Sequence, residues 1–119
     1  MRFEDLDVWK RAAHLSAELY IKLVNLRDYS FKDQITRAGL SISSNIAEGF
    51  ERTSQRECLT FLSYAKGSCG ELRSQLYIGM EIGYIDRETG NAWVKEATEI
   101  SSMLSSLMKT KRGFIKKDS

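Results

Sequence analysis

Proline is missing from the sequence, although it accounts for about 5% of residues in average proteins. A proline inside a helix removes a hydrogen-bond donor and clashes with the preceding turn. A chain without proline can therefore form long, uninterrupted helices. The sequence also lacks the alternation of apolar and polar residues that is typical of strands, and this indicates an all-α protein.

Cysteine and histidine are scarce, and their scarcity limits the chemistry open to the chain. Cys58 and Cys69 are the two cysteines, and their spacing corresponds to about 16 Å along one helix, too far for a disulfide. His14 is the single histidine, so a Cys/His zinc site and the Glu-x-x-His pairs of a di-metal bundle are excluded. Glycine-rich phosphate loops are missing as well. We therefore predict a protein that is not an enzyme, with no catalytic residue, metal site or cofactor.

Long apolar runs are also absent. No stretch approaches the roughly 20 apolar residues of a membrane-spanning helix. The start, MRFEDLDVW, lacks the apolar centre of a signal peptide. We expect a soluble cytoplasmic protein with reduced, buried thiols and no membrane contact.

Apolar residues recur every three or four positions in four segments, a spacing that predicts four amphipathic helices. The segments are Val8–Leu26, Phe31–Gly49, Gln55–Ile82 and a last one from a cap at Asp86 or Thr89 to about Lys111. Such helices, joined by short links, form an antiparallel up-down-up-down four-helix bundle, which is the predicted fold. The residues assigned to the core include Tyr20 of the first helix and, in the next two, Ile35, Ala38, Gly39, Ile42, Ile46, Cys58, Phe61, Leu62, Ala65, Ser68, Cys69, Leu72, Leu76 and Gly79.

Residues that favour helix ends border these segments. Asp5 or Asp7 can accept a hydrogen bond from the free amides at the start of the first helix. Ser54 and Glu57 have the spacing of a capping box before the third helix. Gly83 follows the third helix and is predicted to end it, because glycine adopts the left-handed conformation at little cost.

The formal net charge of +2 hides an uneven distribution. The last eleven residues hold five of the 18 cations, namely Lys109, Lys111, Arg112, Lys116 and Lys117. The rest of the chain has 13 cations and 15 anions and is slightly acidic. We predict a bundle domain over residues 1–112 and a basic, flexible C-terminal tail over 113–119. Such a tail can touch nucleic acid, but solvation is the simpler role.

The stretch from Ser41 to Leu72 carries more hydroxyls, amides and glycines than a plain helical core needs. Two interpretations stay open for its polar residues: a solvated helix face with a structured turn, or a network that fixes the turn and presents Arg52 and Arg56 outward. The residues assigned to the network are Ser44, Asn45, Glu48, Ser54, Glu57 and Glu71. Gly67 and Gly70 each cost about 1 kcal/mol inside a helix relative to alanine. We expect close helix packing there, within the bundle or between subunits, with a ligand cleft as the alternative.

Five cations of the second and third helices are candidates for nucleic-acid contact if they gather on one surface. They are Arg37, Arg52, Arg56, Lys66 and Arg73. The planar guanidinium fork matches phosphate, and a tyrosine such as Tyr64 or Tyr77 can stack on bases. The alternative is a set of dispersed surface cations with no shared ligand.

Three motifs in fixed order resemble one protein family. FEDLDVWKRA starts at Phe3, SISSNIAEG starts at Ser41, and RTSQRECLTFLSYAKGSCGEL starts at Arg52. Together with QLYIGMEIGYI from Gln75, they resemble the four-helix-bundle proteins encoded in 23S ribosomal RNA intervening sequences. The resemblance covers nearly the whole chain except the basic tail.

The resemblance implies a bacterial protein that assembles as a ring-shaped homopentamer. It also implies a relation to the accessory variability proteins of diversity-generating retroelements, which bind a reverse transcriptase and nucleic acid. It supplies no catalytic residues. The expected function is a non-enzymatic homo-oligomeric bundle that binds RNA or associates with a ribonucleoprotein, with RNA or a nucleic-acid-processing protein as partner. The alternative is an oligomeric scaffold that binds a partner protein and no nucleic acid.

Overall fold

The structure, a computed structural model, describes residues 2–118 and consists of helices. After a short 3-10 helix at Phe3–Asp5, the chain forms α1 (Asp7–Lys22), α2 (Tyr29–Phe50), α3 (Gln55–Glu81) and α4 (Arg87–Asp118). Within the described range there is no strand. α2 packs on α1 and α3, and α4 packs on α3 and, less extensively, on α1. The fold is the predicted all-α four-helix bundle.

The core follows the three- and four-residue spacing of the sequence. Nearly all residues assigned to the core of α2 and α3 are buried, and Ile42, Leu62 and Leu72 are fully buried. Burial of these apolar side chains is the main driving force for folding. The prediction that Tyr20 belongs to the core is wrong, because its side chain is 46% exposed.

Both cysteines are buried and free, as predicted. Burial raises the pKa of the Cys69 thiol to about 11, although the nearby cations Lys66 and Arg73 act in the opposite direction. Because the thiolate is the reactive form of cysteine, this thiol is kept unreactive by its burial.

Three acceptor side chains begin α2, α3 and α4. Asp28 Oδ1 accepts from the Phe31 amide over 3.1 Å, so α2 starts slightly before the predicted Phe31. Ser54 Oγ accepts from the Glu57 amide over 3.0 Å, which confirms the serine half of the predicted capping box. Asp86 performs the same role for α4 by accepting from the Thr89 amide over 3.0 Å.

Some of the helix ends differ from the predicted positions. Leu6 is the N-cap residue of α1 and forms no side-chain cap, so the prediction of Asp5 or Asp7 is wrong. α1 ends at Lys22 rather than Leu26, and Gly83, with a φ of +80°, ends α3 as predicted. α4 runs past Lys111 to Asp118, so residues 113–118 continue the helix. The flexibility of that stretch stays a prediction, and Ser119 lies outside the described residues.

Close packing holds for Gly79, a predicted core position, and for Gly49. A Cβ on Gly79 would lie 2.7 Å from Ile85 Cδ1 and 3.2 Å from Phe31 Cζ, and one on Gly49 would lie 3.2 Å from the backbone oxygen of Cys58. Gly67 and Gly70 are exposed, with no atom within 4 Å of the point where a Cβ would lie. Packing within the bundle is therefore the wrong explanation for this pair.

In residues 2–118, no helix has the length and apolar character required to cross a membrane.

Candidate nucleic-acid interface

A polar network joins α2 to α3 at the middle of the bundle. Asn45 Nδ2 donates to the backbone oxygen of Ser41 over 2.8 Å and to its Oγ over 2.9 Å. Ser68 Oγ of α3 donates to the same Ser41 Oγ over 2.9 Å. These bonds satisfy partly buried polar groups that are costly to leave unpaired. Asn45 is therefore the one residue of the predicted network seen in this contact, where Ser41 and the predicted core residue Ser68 supply the link between the helices.

A second pair of contacts fixes the turn between α2 and α3. The Arg52 guanidinium forms an ion pair with Glu48, one helical turn earlier. The same guanidinium lies over the Phe61 ring, with its Cζ 4.7 Å from the ring centroid. Arg52 is thus engaged within the chain, which makes it a structural residue of the turn more than a free phosphate ligand.

The remaining residues of the predicted network lie at the surface. Ser44 and Glu57 are exposed, and Ser54 acts as the cap of α3. Glu71 lines a shallow groove of about 370 Å³ between α2 and α3, together with Ser41, Asn45, Ser68 and neighbouring residues of α3. This groove is polar and contains an acidic side chain, so it does not favour a phosphate ligand.

Three of the predicted cations lie on the opposite side of α3. Ser68 marks the side that faces α2, and Lys66 is two positions earlier, which is about 200° around the helix. Arg73 follows Lys66 by seven residues, or two turns, and both cations act on the pKa of the buried Cys69 between them. Lys66 and Arg73 thus line the side of α3 that borders α4. Arg56 is exposed ten residues before Lys66, about 80° away around the helix, at the solvent edge of that side.

α4 runs antiparallel to this side of α3. At one end Gly90 lies against Met80. At the other end burial raises the pKa of the Cys58 thiol, and the charge of nearby Lys111 opposes that rise. Lys95, Lys109 and Lys116 are seven or fourteen residues apart and therefore project from one side of α4. Arg112 lies between the last two on the same side. All four cations are exposed.

An arginine of α1 binds the two acidic side chains in the middle of α4. Between Lys95 and Lys116, α4 has two acidic residues, Glu96 and Glu99. Arg11 of α1 binds both of them, with its Nε donating to Glu96 over 2.9 Å and its Nη2 donating to Glu99 over 3.1 Å. These contacts direct both carboxylates toward α1, although Glu99 lies one turn from Lys95 on the helix surface.

We call the set of cations on these neighbouring sides of α3 and α4 the basic face. It consists of Arg56, Lys66, Arg73, Lys95, Lys109, Arg112 and Lys116. From Lys95 to Lys116 it extends about 30 Å along α4 at the rise of an α-helix. In the part of the chain whose side chains are described, no carboxylate forms an ion pair with Arg56, Lys66, Arg73, Lys95, Lys109 or Arg112.

The basic face overlaps with the five predicted cations but is not the same set. Arg56, Lys66 and Arg73 belong to it, whereas Arg37 and Arg52 lie with α2 and the α2–α3 turn. The four cations of α4 are not among the predicted residues. Three of them lie in the last eleven residues of the chain, which are predicted from the sequence to be a solvated basic stretch. Their seven-residue spacing, repeated by Lys66 and Arg73, is the signal that identifies the face.

A different cleft of about 460 Å³ separates α1 from α4 and is lined by acidic residues, His14 and the edge of Trp93. His14 is an exposed helix residue, as predicted, with Nε2 3.8 Å from the Glu18 carboxylate. Among the described residues, no three His, Cys, Asp or Glu side chains lie close enough to hold a metal ion. The acidic lining shows that this cleft does not extend the basic face.

One end of the bundle exposes apolar side chains. It is the end where the α1–α2 and α3–α4 connections meet, and Tyr84 of the second connection donates to Asp28 of the first over 2.9 Å. The residues at least half exposed there, which we call the apolar end, are Ile21, Val24, Tyr29, Ile78 and Ile82. A concentration of exposed apolar residues marks a surface that another molecule covers.

Comparison with known proteins places the chain in a family. A family model described as 23S rRNA-intervening sequence protein matches residues 4–106. A crystal structure of a protein with unknown function from the S23 ribosomal protein family, from Bacteroides thetaiotaomicron VPI-5482, is 27% identical. That similarity covers 86% of this chain and 98% of the other, with a TM-score of 0.81. Functionally curated proteins gave no match. The chain, with its four-helix bundle and its SISSNIAEG segment inside the matched range, belongs to the 23S rRNA-intervening sequence protein family.

Proposed function

We propose that this protein is a non-enzymatic cytoplasmic module that binds RNA through the phosphates, on the basic face. The observation that carries the proposal is the placement of seven cations on neighbouring sides of α3 and α4, with Glu96 and Glu99 directed toward α1 by Arg11. The family resemblance also implies a relation to accessory variability proteins, which bind nucleic acid, and that expectation favours the same function.

The chemistry of the face favours a phosphate backbone over an isolated anion. Cations spread over about 30 Å match a repeated charge, because a nucleic acid presents phosphates along its whole length. Arginine forks at Arg56, Arg73 and Arg112 can bind phosphate oxygens in pairs. Since most of these cations have no carboxylate partner in the described chain, binding RNA breaks few internal ion pairs.

A direct binding measurement tests this function. Fluorescently labelled RNA, in single-stranded and duplex form, is titrated with the purified protein at salt concentrations from 50 to 200 mM, and anisotropy is recorded. We expect binding at low salt and a linear fall of log K with log salt, because bound cations release counterions. Absence of binding to both RNA forms at 50 mM salt contradicts the function. A pull-down from lysate with and without nuclease shows whether bound partners depend on RNA.

We further propose that the chain forms a homo-oligomer, a pentamer by its resemblance, and that the apolar end contributes to subunit contacts. Ile21, Val24 and Tyr29 are each more than 60% exposed, and coverage of such side chains by another subunit is favourable. The same surface supports the alternative function, a scaffold that binds a partner protein without nucleic acid.

An Ile21→Asp/Val24→Asp variant is expected to shift the protein toward monomer, because two charges are placed in a contact that requires desolvation. Light scattering on the purified protein measures the mass. Leu40→Asp is the matched control, since Leu40 is 45% exposed on α2, away from the apolar end. A wild-type protein that is monomeric, or a double variant with unchanged oligomeric mass, rules out the proposed contact.

A further inference from the structure

No contact within the described chain explains why residue 70 is a glycine. It lies in the interior of α3 and is exposed, with no atom within 4 Å of the position of a Cβ. Among the described residues Gly83 alone has a positive φ, so alanine fits the backbone of Gly70 without strain. Glycine destabilises a helix interior relative to alanine. Its presence here therefore points to a need for open space above the helix.

The open space lies between two cations of the basic face. Gly70 follows Lys66 by four residues and precedes Arg73 by three, so the three residues are neighbours on the helix surface. Arg73 Nε is buried and has no hydrogen-bond partner in the described chain. The arrangement is a bare segment of helix with a cation on each side.

We infer that the phosphate backbone of a bound RNA crosses α3 at Gly70, between Lys66 and Arg73. This inference rests on the proposed RNA-binding function and assigns its point of closest approach. The missing side chain lets a phosphate approach the helix surface, where both cations reach it at a short distance. Coulombic attraction increases as that distance falls, so a side chain at position 70 reduces the attraction.

A second copy of the chain is the alternative occupant of the same surface. In a ring such as the proposed pentamer, each contact joins two different surfaces of neighbouring subunits, so Lys66 and Arg73 would meet another part of the chain. The oligomeric mass of a Gly70→Leu variant tests that contact. A polyanion has the charge that complements both cations.

The test compares leucine at two exposed glycines of α3. Gly70→Leu is expected to raise Tm, because leucine is the better helix former, and to weaken RNA affinity about tenfold. Gly67→Leu is the control, since Gly67 is equally unobstructed but lines the groove toward α2. It is expected to raise Tm and leave RNA affinity unchanged.

The possible outcomes distinguish a failure of this inference from a failure of the proposed RNA-binding function. If the wild-type protein binds no RNA, the proposed function fails. If the wild type binds RNA and Gly70→Leu binds it equally well, the crossing point is wrong and the function stands. If Gly70→Leu changes the oligomeric mass by light scattering, the glycine is a subunit contact, and this also overturns the inference. The inference is supported by a Gly70→Leu protein with raised Tm, unchanged mass and weakened binding.

Discussion

Reversal of three charges on the basic face, in a Lys66→Glu/Arg73→Glu/Arg112→Glu variant, is expected to weaken RNA binding at least about 100-fold at 100 mM salt. Each substitution removes a charge-assisted contact, and a hydrogen bond to a charged group contributes about 1.5–3 kcal/mol. Each also places a carboxylate where the phosphates lie. Since the sites are spread over two helices, the losses are expected to add approximately.

The salt dependence identifies the lost contacts as phosphate contacts. Each cation that neutralises a phosphate contributes between about 0.7 and 0.9 to the slope of log K against log salt. The triple variant is therefore expected to reduce that slope by about 2. Anisotropy titrations at four salt concentrations between 50 and 200 mM measure both slopes with the same RNA.

A control with the same change in net charge separates the basic face from the overall charge of the protein. Lys10→Glu/Arg27→Glu/Arg37→Glu reverses three exposed cations on α1, the α1–α2 connection and α2. We expect this variant to lose less than about tenfold, through long-range attraction alone, which salt screens. Equal losses in the two triple variants would show that RNA binds without preference for the α3–α4 surface.

The bundle itself could be predicted because helical spacing is a local property of the sequence. The row Leu62, Leu72 and Leu76 identifies the buried side of α3 without knowledge of its neighbours. Ser54 is likewise recognisable, since a cap depends on an amide three residues away. The early end of α1 at Lys22 was not predictable in this way, because Leu26 continues the apolar spacing after the helix has ended.

The basic face required knowledge of how the helices are arranged. Lys66 and Arg73 become part of a larger surface only because α4 is antiparallel to α3 and carries cations of its own on the adjoining side. That register depends on contacts between the two helices, such as Gly90 against Met80. The summed charge did not indicate this surface, since the chain without its last eleven residues is slightly acidic and three of the seven cations, Lys109, Arg112 and Lys116, belong to those eleven residues. Arg11 binds Glu96 and Glu99 and so directs two acids of α4 toward α1.

Leu72→Ala is expected to lower the free energy of unfolding by about 3 kcal/mol, because a fully buried leucine leaves a cavity that the core fills only in part. Leu72 is 0% exposed in the core between the helices. A loss of this size lowers Tm by roughly 10 °C in a domain of this length. Thermal unfolding followed by circular dichroism measures the change.

Leu40→Ala is the matched control, with the same change of side chain at a position 45% exposed. We expect it to cost less than about 0.5 kcal/mol, as surface substitutions do. Equal costs for the two variants would contradict the core described for the bundle. Since small domains have about 5–15 kcal/mol of stability, Leu72→Ala remains folded at 25 °C. Its RNA affinity should then equal that of the wild type, because the core substitution leaves every cation of the basic face in place.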